Sequence, residues 1–497
     1  MDFKKFLKKE LILLYLVIIV GAFLRLWGVY TNSFAFTYDV GRDMLALWNI
    51  VHLHKLPLIG ATTGLPGIFY GPWWYYLLTP FFIIFSGNPQ GIAFLMALIG
   101  IASIILGYYF GKRLGGELLG LIMAALISIS PNLISLSSQI WNPNIAPLFV
   151  IFVLLVLFKI YKGEKRNSQL YYFLLGILLA FNIDLEIVFG LLFSAGIVLS
   201  VIFTMKRKIL LKNILFFIIG ALIIFAPRIL FELRHQFLMT KAFIGFFSHT
   251  SSSGTSLSIF EFFNRLGILF DQFNSTLAGG NLALGALCLL FTVICLVLFY
   301  KKSDKTIKNF INTSLIVIFV FIAGTIFFSH DIWPHYLVGV PVFYVLLFAI
   351  SLYLLGKKTS LLIPTAVAIV IFFINLNPIV LYKTVTGPLW IGDASVYRNQ
   401  LAVIDYTYRQ ANGKNFKYVV YTPPVYDYTY QYLYLWYGPQ KYHYSPSVQS
   451  NLAYFILEPD YQNPSRLTDW LKQRAGDGKI IKSITLPSGI TVQTRVH

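Results

Sequence analysis

The chain has 497 residues, 57% of them hydrophobic and only 12% charged, with a formal net charge of +19. Soluble domains carry roughly 25% charged residues, so a large soluble enzyme with a deep core is excluded. A nucleic-acid partner is excluded by where the charge sits: every basic cluster falls in a short connection between apolar runs. That is the positive-inside pattern of a polytopic membrane protein. Anionic headgroups of the cytoplasmic leaflet are its natural partner.

Lys4, Lys5, Lys8 and Lys9 precede an apolar run over 11–29 with no small-x-small cleavage site near its end, which predicts a retained signal anchor. Further runs of bridging length lie at 90–110, 117–136, 143–160, 169–183, 186–205, 213–231, 281–300, 309–328, 335–355 and 359–377. The stretch 73–85 is short for a crossing. If it crossed, Lys112 and Arg113 and every later cluster would invert relative to the N-terminus. If it dips into the interface, the clusters at Lys159–Arg166, Lys206–Lys212, Lys301–Lys308 and Lys357–Lys358 all share one side with the N-terminal lysines. The second arrangement is expected, with about eleven spans, a large first extracytoplasmic loop over 31–89, and a chain end outside. Cys288 and Cys295 lie seven apart in one apolar run, so no disulfide framework is expected.

Beyond Asn377 the composition changes. Lys417–Thr422 and Leu452–Leu457 read as strands, Arg466–Arg474 as a helix, and Lys479–Leu486 with Ile490–Arg495 as a hairpin around Pro-Ser-Gly. Tyr426–Tyr437 fits either period. The expectation is an all-α membrane domain over 1–377 and a small extracytoplasmic α/β domain over 378–497, its tyrosines resting on the membrane.

Carboxylates near a bilayer are costly and mark function or a buried partner. If Tyr38-Asp39-Val40-Gly41-Arg42-Asp43 opens an amphipathic helix, Asp39 and Asp43 share a face at i, i+4, with Arg42 beside them. Such a set can hold a deprotonated carboxylate fit for a general base, for metal or for hydroxyl contacts. The local alternative makes Asp39 an N-cap with Arg42 as its ion-pair partner. A second acidic turn, Asn182-Ile183-Asp184-Leu185-Glu186, joins two runs on the same face, where Asp184 would otherwise cap the next helix. Trp141-Asn142-Pro143-Asn144 is a rigid polar turn that favours Asn142 as a cap. Arg228, Arg234 and His235 stand outside, against the positive-inside trend. Guanidinium groups there suit a phosphate, although Arg228 can pair with Glu232 at i+4. His330, Asp331 and His335 form a polar loop cluster badly spaced for metal. No zinc, Walker or nucleophile-elbow motif is present.

With these residues in order, the chain resembles the GT-C glycosyltransferases, in particular the protein-O-mannosyltransferase and lipid A aminoarabinose transferase branch. The resemblance is carried by Thr37-Tyr38-Asp39-Val40-Gly41-Arg42-Asp43, Gly71-Pro72-Trp73-Trp74-Tyr75-Tyr76, Gly111-Lys112-Arg113-Leu114, Ser130-Pro131 and Trp141-Asn142-Pro143-Asn144. It covers about the first 240 residues well, the later spans loosely through Pro334-His335-Tyr336-Leu337 and Pro341, and the C-terminal domain only in kind. It implies transfer of a sugar from a polyprenyl-phosphate carrier to a lipid, glycan or protein hydroxyl at the extracytoplasmic face of the plasma or inner membrane, with inversion. In that frame Asp39 is the base and Arg42, Asp43, Asp184 and Glu186 support it or the acceptor. Arg228 and Arg234 hold the donor phosphate, and Tyr38, Asn142, Asn144 and His335 line the site. No cofactor is required by the pattern, and a divalent metal at Asp184 or Glu186 stays open. The chain departs from the branch in having its second acid at Asp43 rather than next to Asp39, and Tyr70-Gly71-Pro72 where His-Pro-Pro or Lys-Pro-Pro is usual. Both departures fall on the acceptor side. A transporter or flippase is the rival reading, but it calls for acids within spans and little soluble mass.

Overall fold

A computed structural model describes residues 3–164, 166–205, 210–249, 259–327, 331–358, 362–376, 393–423 and 426–496. Among them are nine helices long and apolar enough to cross a bilayer, beginning with Leu11–Tyr30 and Pro89–Gly115 and ending with Val340–Lys358. The pair Glu117–Ile129 and Pro131–Ser138, bent by 59°, makes ten if it is counted as one broken span. These ten match the first ten expected spans in order. The eleventh falls on a short apolar helix, Leu362–Asn375, and its ends lie outside the described residues. Lys206–Lys208 and His330 also lie outside them. Trp73–Ile84 is a separate helix of 12 residues, too short to cross at 1.5 Å per residue.

The bend at Ser130-Pro131 has a chemical cause. Pro131 lacks the N–H that the Ile127 carbonyl would accept, so the helix breaks there. The fully buried Arg25 of the first span supplies the missing donors, with Nη2 to the Ile127 carbonyl at 2.9 Å and Nη1 to the Ser128 carbonyl at 3.0 Å. Three spans run from the same end of the bundle to a basic end. Pro89–Gly115 starts beside the C-terminal unit and finishes with Lys112 and Arg113. Asn142–Lys162 starts at the site described below and finishes with Lys159 and Lys162, and Val340–Lys358 finishes with Lys357 and Lys358. These three basic ends therefore share the side opposite the site.

The C-terminal residues build one sheet from β1 (Lys417–Tyr421), β2 (Leu452–Leu457), β3 (Lys479–Thr485) and β4 (Thr491–Val496), in the order β1-β2-β4-β3. β1 and β2 are parallel, and β4 is antiparallel to both β2 and β3. A parallel pair needs a crossover of a dozen or more residues, commonly a helix. The Tyr-rich stretch supplies it as the helix Tyr428–Tyr442. A second helix, Tyr397–Ala411, precedes the sheet and was not legible from the sequence pattern.

Several of the tyrosines expected at the membrane surface are instead interior. Tyr397, Tyr430, Tyr432 and Tyr434 are buried in one apolar core with Phe36, Met44, Leu47, Trp74, Leu78 and Phe82 of the first loop. Rings of this size stabilise most where fully covered, provided each hydroxyl finds a partner. Tyr432 donates to the Gly87 carbonyl at 2.5 Å, and the Trp436 indole to the Ser86 carbonyl at 2.7 Å. The backbone joins as well: Phe36 donates to the Ser395 carbonyl at 2.7 Å and Tyr397 to the Phe34 carbonyl at 3.1 Å. Gly41 makes the closest approach. A Cβ there would sit 2.4 Å from the Thr429 nitrogen and 2.6 Å from the Tyr428 carbonyl carbon, both main chain. Gly41→Ala should therefore push the C-terminal unit off the first loop at a cost of about 1–3 kcal/mol. Faster proteolysis or hydrogen exchange across Tyr428–Tyr442 in detergent, with the spans still protected, is the expected result; unchanged protection would contradict the contact.

Candidate active site

Residues Tyr38–Leu53 form the first-loop helix, with Thr37 rather than Asp39 as N-cap. Asp39 lies in the first turn, where the helix N-terminus favours a negative charge. The helix places Asp39, Arg42 and Asp43 on one face as the spacing required. Arg42 bridges the acids, at 2.6 Å from Asp39 Oδ1 and 2.9 Å from Asp43 Oδ1. The two carboxylates have different surroundings. Asp43 is 3% exposed and accepts from the Trp74 indole at 2.8 Å and the Tyr75 hydroxyl at 3.3 Å. Its lone pairs are committed to the dipping helix. Asp39 is 24% exposed, and burial raises its pKa above the ordinary value of 3.8 while Arg42 opposes that rise. Of the pair, only Asp39 can meet a ligand.

Asp39 lines a cavity of about 390 Å³. One wall is Ala35–Val40 of the first loop, with Gln139, Ile140 and Trp141 beside it. The other wall comes from the C-terminal unit: Ser395, Gln400, Thr422, Tyr426, Thr429 and Glu458. Tyr38 lies on the rim, its ring stacked 6.3 Å from that of Tyr426. Glu458 follows β2, is buried, and accepts from the Tyr430 hydroxyl at 2.8 Å. Burial raises its pKa to about 7. The sequence offered no sign of it, because it lies about 420 residues from Asp39 in a segment read only for secondary structure.

A second cavity of about 620 Å³ adjoins the first, since Gln139 and Trp141 line both. It is lined further by Asn132, Asn144, Asp271, Gln272, Ser275 and His335. His335 packs with its ring 4.9 Å from Trp141, and burial lowers its pKa to about 4, so it is neutral near pH 7. Asn144 donates to the Gln139 carbonyl at 3.2 Å. Asn142 is not the cap of its helix; Trp141 holds that position, and the Asn142 amide donates to the Leu185 carbonyl.

The second acidic turn lines neither cavity. Helices Ser168–Leu185 and Ile187–Thr204 are separated by Glu186 alone, and it is Glu186, not Asp184, that caps the second through the Val188 N–H. Glu186 also accepts from the Tyr70 hydroxyl at 2.8 Å. Asp184 is fully buried under Gly71, where a Cβ would lie less than 2 Å from its carboxylate, and its carbonyl accepts from the Gly71 N–H at 3.0 Å. Arg228 pairs with Asp184 at 3.3 Å instead of with Glu232, whose oxygens take the Met239 and Thr240 N–H groups. Arg234 is exposed at the end of Leu211–Arg234. Among the described residues no three His, Cys, Asp or Glu side chains converge as a metal-ligand set.

Residues 70–231 match the family model described as dolichyl-phosphate-mannose-protein mannosyltransferase, a match that begins after Asp39 and takes in Asp184, Glu186 and Arg228. No curated protein sequence matches. Among solved structures the chain is similar to ArnT from Cupriavidus metallidurans. For ArnT bound to undecaprenyl phosphate the TM-score is 0.56 at 12% identity, covering 100% of this chain and 99% of that one. For the apo state it is 0.58 at 11% identity, covering 99% and 98%. The Archaeoglobus fulgidus oligosaccharyltransferase matches at a TM-score of 0.48 and 14% identity, over 84% of this chain and 61% of that one.

Removing one partner of a buried ion pair strands the other charge, at about 3–5 kcal/mol. Arg228→Met should accordingly lower the thermal midpoint of the protein in detergent, and Arg228→Met with Asp184→Asn should recover much of the loss. A double variant no better than the single would show that Arg228 acts elsewhere.

Proposed function

We propose that the chain is a GT-C membrane glycosyltransferase, a reading its fold and its partial family match support, and that it moves a sugar from a polyprenyl-phosphate carrier to an acceptor hydroxyl, with Asp39 as base. The observation that carries the reading is the pairing of one partly exposed carboxylate with a cavity walled by both parts of the chain. Asp39 takes the acceptor proton through a carboxylate oxygen. The freed oxygen attacks the anomeric carbon from the face opposite the phosphate, and the bond from that carbon to the phosphate oxygen breaks, its electron pair leaving on the phosphate. The anomeric configuration inverts. A phosphate is a good leaving group, so the protein supplies mainly a base and positioning.

Arg42 keeps Asp39 oriented and largely ionised, and Asp43 anchors Arg42 to the Trp74 and Tyr75 side chains. The adjoining cavity past Gln139 and Trp141 is the proposed donor side, with Asn144 and His335 on its wall. Asp184 and Glu186 support the site at one remove, by fixing Gly71 and Tyr70 ahead of the dipping helix. Arg234, exposed at the outer end of its span, is the proposed contact for the donor phosphate, with Arg228 held by Asp184. The basic ends of three spans lie on the side opposite Asp39, which under the positive-inside bias supports a site and C-terminal unit outside and an N-terminus in the cytoplasm.

Sugar transfer from a panel of polyprenyl-phosphate sugars tests this, with the wild type beside Asp39→Asn. The substitution should lower turnover by roughly 10²–10⁴-fold; full turnover in Asp39→Asn would remove Asp39 as base. The wild-type rate should fall on acidification, because the base works only when ionised. Burial favours the protonated form, so the midpoint should lie above 3.8. A midpoint at or below that value would contradict the buried setting of Asp39.

A further inference from the structure

We propose that the acceptor is an uncharged, polyhydroxylated group, a sugar residue, and that the C-terminal unit binds it through Gln400, Thr422 and Glu458. This rests on the transferase reading above and adds the chemistry of its second substrate. The wall facing Asp39 is built of hydroxyl, amide and carboxyl groups on separate elements. Gln400 sits on the helix Tyr397–Ala411, Thr422 just past β1, and Glu458 just past β2. The ends of two adjacent parallel strands and a neighbouring helix therefore converge on one spot.

Two of these groups carry an oxygen that has no partner among the described residues. Gln400 is 2% exposed and Thr422 is 6% exposed, yet Gln400 Oε1 and Thr422 Oγ1 make no hydrogen bond among the described residues. Buried polar atoms are nearly always satisfied, so an unsatisfied pair on a cavity wall points to a ligand that completes it. The ligand has to bring hydrogen-bond donors, because Gln400 Oε1 only accepts and a carboxylate at Glu458 does the same. Hydroxyl groups meet all three.

Charge narrows the class further. Asp39 and Glu458 are the ionisable acids of the lining, and no Lys or Arg is among its described residues. Arg42, beside Asp39, is committed to Asp39 and Asp43. A phosphorylated acceptor would meet two carboxyl groups and no counter-charge among the described lining residues, which selects against it. Tyr38, Trp141 and Tyr426 add flat apolar faces beside the polar wall, the mixture that binds ligands with one hydroxylated and one C–H face. At about 390 Å³ the cavity falls inside the range of roughly 300–1,000 Å³ typical of small-molecule sites. A disaccharide terminus is of that scale, whereas a folded protein acceptor would have to offer a loop.

The test uses the full chain in nanodiscs and has two readouts. The first is fluorescence of the cavity-lining Trp141 on titration with maltose, cellobiose, a Ser/Thr hexapeptide, and a glucosamine disaccharide bisphosphate, with Trp141→Phe as the signal control. The second is transfer kinetics with the donor found active above. Saturable binding of a neutral disaccharide is expected, weakened roughly tenfold by Thr422→Val and by Glu458→Gln. In turnover the same variants should raise the KM for acceptor and leave the KM for donor where it was. Tighter binding of the bisphosphate or of the peptide, or no binding by either disaccharide, overturns the proposal. So does disaccharide binding that neither variant weakens. Binding as expected without transfer from any donor would instead count against the transferase reading and leave the sugar site standing.

Discussion

The main-chain contact between Gly41 and Tyr428–Thr429 is the constraint on which the site depends. The helix that carries Asp39 is part of the first loop, and a loop helix of 16 residues has no fixed position of its own. It is clamped between the dipping helix on one side and the crossover helix of the C-terminal sheet on the other. Only a residue without a Cβ lets the second clamp close. Two residues before Gly41, Asp39 is thereby held over the seam between the two parts. The cavity is a by-product of that seam: it exists because the sheet's β1 and β2 ends face the start of the Asp39 helix.

Three guanidinium groups, Arg25 buried and Arg42 and Arg228 partly buried, show how the chain manages charge in a low-dielectric setting. Arg25 spends its charge on the two carbonyls freed by Pro131, Arg42 on the Asp39 and Asp43 carboxylates, and Arg228 on Asp184. Each is a cation next to a group that the fold would otherwise leave unsatisfied, which is the condition under which a buried charge is tolerated. The outcome for chemistry is a sorting of acids. Asp43, Asp184 and Glu186 are consumed in holding the first loop, and Asp39 keeps partial access to the cavity.

Much of the membrane part was legible because the bilayer enforces it. A crossing needs about 20 apolar residues and positive charge gathers on one side, so ten spans and the non-crossing status of Trp73–Ile84 could be read by length and charge. The helical face joining Asp39, Arg42 and Asp43 followed from a period of 3.6. The acidic turn at Asp184 and Glu186 was visible as a cluster, but its work was not. That it braces Tyr70 and Gly71 depends on two loops distant in sequence meeting in space. The same holds for Asn142, whose spacing from Pro143 signalled a cap and whose amide instead reaches Leu185.

The C-terminal unit divides along the same line. β1, β2 and the β3–β4 hairpin carried alternation and a Pro-Ser-Gly turn, which are local signals. The Tyr-rich stretch carried none that decided its period; the parallel pairing of β1 with β2 made it a crossover helix. Its tyrosines suggested a membrane surface by composition, yet Tyr430, Tyr432 and Tyr434 are buried in one core with Phe36, Leu47 and Leu78 of the first loop. The spans, the gathering of basic residues in alternate connections and the face that presents Asp39 could be read from local pattern, since each follows from a period or from the solvent on either side. Folding settles which acid stays accessible and sets Gln400, Thr422 and Glu458 opposite it. Those facts depend on contacts between segments hundreds of residues apart, for which no local pattern exists.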